Sequence, residues 1–135
     1  MAFRPLNYDE GQVLLVPGTA SEAFTKGAAL TYASGLLTAA ASGTAVDVYF
    51  VAAETITLTS AGGPIKVWPT VNVLYEADVD STWATADQGT LADLASASTI
   101  NPDASDNDLF LILYGIGATG VGSVVVGRFM HANET

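Results

Sequence analysis

Short β-rich runs, each stopped by glycine, proline or a polar cluster, limit most sharply what this 135-residue chain can fold into. GQVLLVP (11–17) ends at Pro17 and Gly18. AALTY (28–32) and LLTAA (36–40) flank Ala33, Ser34 and Gly35, a tight hairpin connection. AVDVYFVA (45–52) sets Val46, Val48 and Phe50 against Asp47, Tyr49 and Val51, the period-two pattern of a strand with one more polar side. TITLTS (55–60) repeats it with Ile56 and Leu58 between threonines. Residues 65–68 and 71–75 continue in the same style around Pro69, which predicts an edge or a bend. The expected fold is all-β: a compact antiparallel β-barrel or sandwich of about 7–9 short strands. It forms a single domain over residues 11–135, preceded by an extended N-terminal arm at residues 1–10.

Residues 80–108 lose the periodicity and read as a long acidic loop region, with one short strand at 90–94 and another around Thr99 and Ile100. Only residues 81–87 and 91–97 have helical composition, and each is marginal at that length. The stretch 109–129 contains GIGATG, residues 115–120, which fits the spacing of a dinucleotide-binding turn. That motif requires a helix to start inside it so that a pyrophosphate can rest on the helix N-terminus. Val121, Val124, Val125, Val126 and Phe129 follow instead, so the stretch reads as a β-hairpin with a glycine turn.

The formal net charge is −10, from 14 acidic and 4 basic residues. The cations Arg4, Lys26, Lys66 and Arg128 are scattered, whereas phosphate backbones are held by clustered cations, so nucleic acid is excluded as a partner. Residues 67–127 hold no Lys or Arg but contain Glu76, Asp78, Asp80, Asp87, Asp93, Asp103, Asp106 and Asp108. One part of the surface is therefore strongly negative, which favours solubility over a dedicated cation site. A mean hydropathy of +0.38 with only 13% charged residues suggests a surface partly covered by other subunits. The absence of cysteine excludes disulfides and thiolate metal sites. Neither a signal peptide nor a membrane-length apolar run is visible, so a soluble chain with no membrane partner is expected.

Candidate chemistry is sparse. His131 is the single histidine and reads as a surface residue, which argues against a serine triad. Glu76, Asp78 and Asp80 share one face of a strand, and Asp103, Asp106 and Asp108 cluster in NPDASDND. Either set offers a carboxylate pair or calcium ligands, but DASDND lacks the order of an EF-hand, and a solvated face is the simpler reading. Asn133, Glu134 and Thr135 form a glycosylation sequon by chance.

A resemblance adds to this. Gly27, Leu30, Gly35 and Leu37 in the first hairpin, the G-x-x-x-D-L from Gly89 to Leu94 and the closing SVVVGRF resemble the small decoration, or cement, proteins of tailed-bacteriophage heads, over residues 24–129. The resemblance implies a non-enzymatic virion protein on the outer surface of the mature capsid, made in the host cytoplasm. It implies binding to the major capsid protein at capsomer junctions, commonly as a homotrimer, with no catalytic residue, cofactor or metal. The apolar arm then becomes the candidate contact to capsid or subunit, through Phe3, Arg4, Pro5, Leu6 and Tyr8. It either packs on its own barrel or reaches a neighbour. In the second case deleting residues 1–8 weakens attachment and leaves the barrel folded. Two rivals are a carbohydrate-binding or host-attachment module stacking sugars on Trp68, Trp83 and Tyr75, and a small hydrolase dependent on Glu76.

Overall fold

The computed structural model describes residues 2–80, 83–104, 107–116 and 124–131. The fold is all-β. Thirteen strands of two to seven residues occur among the described residues, more than expected because several runs break into short pieces. They are β1 (Arg4–Pro5), β2 (Leu14–Pro17), β3 (Ala23–Phe24), β4 (Ala29–Ala33), β5 (Leu36–Ala39), β6 (Phe50–Ala52) and β7 (Ile56–Thr57). β8 (Pro64–Pro69), β9 (Tyr75–Val79), β10 (Leu91–Leu94), β11 (Thr99–Asn101), β12 (Phe110–Ile116) and β13 (Val124–Phe129) complete the series.

β9, β11, β10, β12 and β13 pair in that order, and β13 pairs back onto β9, so these five strands close a barrel. All its pairings are antiparallel except β9 with β11, where Thr99 faces Asp78 and Ile100 faces Val79. A second five-stranded sheet has the order β2-β8-β6-β4-β5. Its outer strands curl towards each other through a bridge between Gly18 and Leu37, where the Thr19 amide donates to the Leu37 carbonyl at 3.0 Å. β3 and β7 form a small separate ribbon.

The central part of the second sheet, in β4, β6 and β8, is buried on both sides, which explains why these strands read as apolar runs, while β2 at its edge is largely exposed. Leu30, Ala52, Ile65 and Val67 face one cluster with Phe24, Leu37 and Leu58. Ala29, Val51 and Trp68, their neighbours on the same strands, face the other way into the main core. That core is filled from the barrel by Tyr75, Ala77 and Val79 of β9, Phe110 and Ile112 of β12, and Val125 and Phe129 of β13. β8 lies between β2 and β6, contrary to the expectation of an edge; its prolines occupy its two ends, where they interrupt no interior ladder. The segment 91–97, helical in composition, supplies β10, because Ala92 and Leu94 are needed in the core. Of the segment 81–87, marginal for a helix, residues 81 and 82 lie outside the described residues, and Thr85–Asp87 forms one 3-10 turn. In the closing hairpin Ile116 pairs with Val124, and a strand follows where a dinucleotide site needs a helix. Residues 117–120 of GIGATG lie outside the described residues.

The N-terminal arm is part of this core. The Phe3 amide donates to the Gly27 carbonyl at 3.0 Å and the Leu6 amide to the Leu74 carbonyl at 2.8 Å, bracketing the pairing of β1 with β9. Phe3 is fully buried, with its ring 4.9 Å from Phe129 and 6.0 Å from Phe110. Tyr75 lies 5.5 Å from Phe129 on another side. Such tilted aromatic pairs contribute about 0.5–1.5 kcal/mol each beyond their area burial.

Tyr75 donates its hydroxyl to the Pro69 carbonyl at 2.7 Å. Burial first, and the neighbouring Tyr8 second, push its ionisation well above the ordinary tyrosine value. A group whose pKa is raised by folding stabilises the folded chain fully below its unfolded value, about 10, and that contribution fades as pH rises beyond it. Urea denaturation from pH 8 to 12 is expected to show a fall in stability above about pH 10 that is shallower in Tyr75→Phe. The variant starts about 1 kcal/mol lower for the lost hydrogen bond. Parallel pH profiles for the two proteins would exclude Tyr75 as the cause.

Candidate interaction surface

The residues expected to form a contact arm separate into two kinds. Phe3 and Pro5 are buried in the chain itself, Tyr8 is half-buried against the core, and only Arg4 and Leu6 are exposed. Arg4 donates to the Glu76 carboxylate at 2.6 Å. The arm therefore packs on its own barrel, and Phe3 cannot act as an inserting group, because its burial is already used in folding. The sugar-platform residues fare similarly: Trp68, Tyr75 and Trp83 are 1%, 0% and 6% exposed, and stacking needs an open ring face. Trp68 is capped by Lys26, whose Nζ lies 5.8 Å from the ring centroid, and its Nε1 donates to the Glu10 carbonyl.

The acids follow the expected alternation on β9, with Glu76 and Asp78 half-exposed and Asp80 exposed beyond the strand end. Glu76 is engaged by Arg4 across β1. Among the described residues no group of three acidic or histidine side chains is placed to hold a metal ion. Asp106 and the sequon residues 133–135 lie outside the described residues. Asp87, Asp103 and Asp108 line an open hollow of about 400 Å³ with Thr90, Leu91 and Pro102. Asp87 accepts a hydrogen bond from the Ala84 amide at 2.7 Å and so caps its own turn. Asp93, the one buried acid among the described residues, accepts from the amides of Asn107 and Asp108 at 2.8 and 2.9 Å, which holds them against β10.

His131 is half-buried, where a surface residue was expected. Its Nε2 lies 2.9 Å from the Thr70 hydroxyl and 3.1 Å from the Val48 carbonyl oxygen. Thr70, fully buried, donates its hydroxyl to that same carbonyl at 2.7 Å, and its amide donates to the Tyr49 carbonyl at 3.1 Å. These bonds fix the backbone of residues 48 and 49 against the end of β13.

What they hold in place is an exposed aromatic cleft. The Tyr49 ring centroid lies 5.7 Å from that of His131 and 5.8 Å from that of Tyr32, to which it is inclined by 51°. Tyr32 leans edge-on over Phe50 at 6.2 Å. It is carried on β4, next to a hairpin turn in which Ser34 and Gly35 take φ of +52° and +81°. Tyr32, Val46 and Tyr49 remain 42%, 55% and 37% exposed and, with Ala45 and Asp47, line a concavity of about 330 Å³. The Tyr49 hydroxyl lies 3.4 Å from Asp47 Oδ2. A smaller hollow of about 180 Å³ adjoins it across Ala45 and Asp47, bordered by Asp108, Met130 and His131.

Sequence reasoning did not single out Tyr32, Val46 or Tyr49, although it placed Asp47 and Tyr49 together on the more polar side of residues 45–52. The strand itself starts only at Phe50, because Val48 and Val51 both turn into the main core and break strict alternation. No family model, no curated protein and no solved structure matches the chain.

Proposed function

We propose that this chain is a structural virion protein that binds the outer surface of a bacteriophage capsid at capsomer junctions, as a homotrimer, and stabilises the mature head without catalysing a reaction. The observation that carries this reading is the amount of large apolar side chain left on the surface of so small a fold. Leu15 and Val46 are 65% and 55% exposed, and Leu14, Tyr114 and Ile116 exceed 40%. Single exposed apolar residues are ordinary; Tyr32, Val46 and Tyr49 share one concavity, and Leu14 and Leu15 are exposed on opposite faces of the edge strand β2, which fits surfaces that become covered. The resemblance of the hairpins and the G-x-x-x-D-L segment to phage decoration proteins supplies the setting.

A protein that binds only the assembled shell adds its binding free energy to that state, so many copies of moderate affinity stabilise the head by linkage. The acidic stretch 76–108 is assigned mainly to the outward side; were it to face the capsid instead, attachment would be lost steeply as salt rises. A carbohydrate-binding or host-attachment module remains the second reading, and with Trp68, Trp83 and Tyr75 buried it rests on Tyr32 and Tyr49 alone. Quantitative mass spectrometry of purified particles is expected to give copies of this chain in a ratio near one to one with the major capsid protein. Absence, or only a handful of copies per particle, would reject decoration.

A further inference from the structure

We propose that the concavity lined by Tyr32, Val46, Asp47 and Tyr49 takes a lysine or arginine side chain presented by a protein partner; that the partner is the capsid surface rests on the reading above. Three features of the cleft match that ligand. Its walls include two phenol rings that touch each other, with centroids 5.8 Å apart and inclined by 51°, and both line the concavity, so a cation seated in the concavity beside the pair comes within cation–π range of them. Val46 and Ala45 give the rim an apolar surface against which the methylene stem of a long basic side chain can lie. Asp47 places a carboxylate beside Tyr49 and on the wall shared with the adjoining hollow, where Asp108 adds a second.

The charge of the whole molecule favours the same ligand. A chain of net charge −10 attracts basic surfaces and repels acidic ones. Of its own cations, Arg4 lies on Glu76 and Lys26 over Trp68, in a cation–π contact of the kind proposed for the cleft. The cleft is also preorganised. Thr70 and His131 hold the Val48 and Tyr49 carbonyls, so binding a side chain need not first order the loop.

The test is an NMR titration of the full-length chain with Nα-acetyl-arginine amide and Nα-acetyl-lysine amide. Nα-acetyl-norleucine amide serves as an uncharged stem and maltotriose as a neutral sugar. Saturable shifts at residue 32 and residues 45–49 are expected with the two cationic amides only. Tyr49→Ala and the near-isosteric Asp47→Asn should each weaken them about three- to tenfold. No saturable shift, an equal response to norleucine amide, or a response to maltotriose in place of the cations would overturn the assignment. Occupancy on particles then separates the cleft from its setting. If the parent chain decorates and Tyr49→Ala decorates equally well, the cleft is not the capsid contact. If the parent chain is missing from particles, decoration fails, and the titration alone decides what the cleft binds.

Discussion

Deleting residues 1–8 is expected to lower the thermal midpoint of this protein by roughly 10–20 °C, and Phe3→Ala alone should reproduce most of the loss. The argument is one of packing. Phe3 is fully buried near Phe110 and Phe129, on the two strands of the closing hairpin, and β1 pairs with β9, the direct neighbour of β13 in the same barrel. Truncating a buried phenylalanine to alanine costs about 3–5 kcal/mol, because the transfer energy is lost and the cavity closes only partly. Deletion also removes the hydrogen bonds from the Phe3 and Leu6 amides and that from the Leu74 amide to the Asn7 side chain. The sequence alone leaves two outcomes open, an arm packed on its own barrel or one that reaches a neighbour and can be cut away from an intact barrel. Leu6→Ala separates the two ideas: Leu6 is 40% exposed, so its loss should shift stability by less than about 0.5 kcal/mol while still testing contact with a partner. Scanning calorimetry of the three variants decides it. A deletion variant that melts with the parent would show that Phe3 contributes nothing to the core.

The same residues show how far the sequence could be read. Period-two alternation marks a strand with one wet face: it put Glu76 and Asp78 on a common face, as β9 does with Tyr75, Ala77 and Val79 turned in, but it set the strand at 71–75, whereas residues 71 and 72 form a turn and β9 starts at Tyr75. It could not give the closure of that strand into a barrel, because the parallel neighbour β11 comes from a segment dominated by acids and serines. Nor could it resolve strands shielded on both sides: Val51 and Ala52 are adjacent, both buried, and belong to different cores. β1 and β3 are two residues long, too short to show any period, and exist through tertiary pairing alone. The cleft was partly legible, since Asp47 and Tyr49 stand two residues apart. Tyr32 joins them only through the pairing of β4 with β6, in which Leu30 faces Phe50.

The second large effect is expected at Gly127, where alanine should destabilise the chain by about 3 kcal/mol or more. Gly127 is central to the barrel, facing Ile112 of β12 on one side and Tyr75 of β9 on the other. A Cβ there would enter the van der Waals shell of the Leu111 carbonyl oxygen and lie 2.5 Å from the Phe110 ring. Its backbone is not in the left-handed region, so the requirement for glycine is steric and comes from the close approach of two strands. Relief would require β12 to move off β13, and β12 is tied to β10 by the pairing of Phe110 with Ala92. The contrast is Gly35, where φ is +81° and a Cβ would meet nothing within 4 Å. Alanine at Gly35 should cost only the left-handed backbone penalty of about 1–2 kcal/mol. Denaturant unfolding should therefore place Gly127→Ala well below Gly35→Ala in stability. Hydrogen exchange should locate the added loss of protection on β12 and β13, next to Phe3, Phe110 and Phe129. Equal stabilities for the two variants would mean that β12 shifts without cost. The aromatic cluster that ties the N-terminal segment to the closing hairpin would then be far less tightly packed than its ring separations indicate.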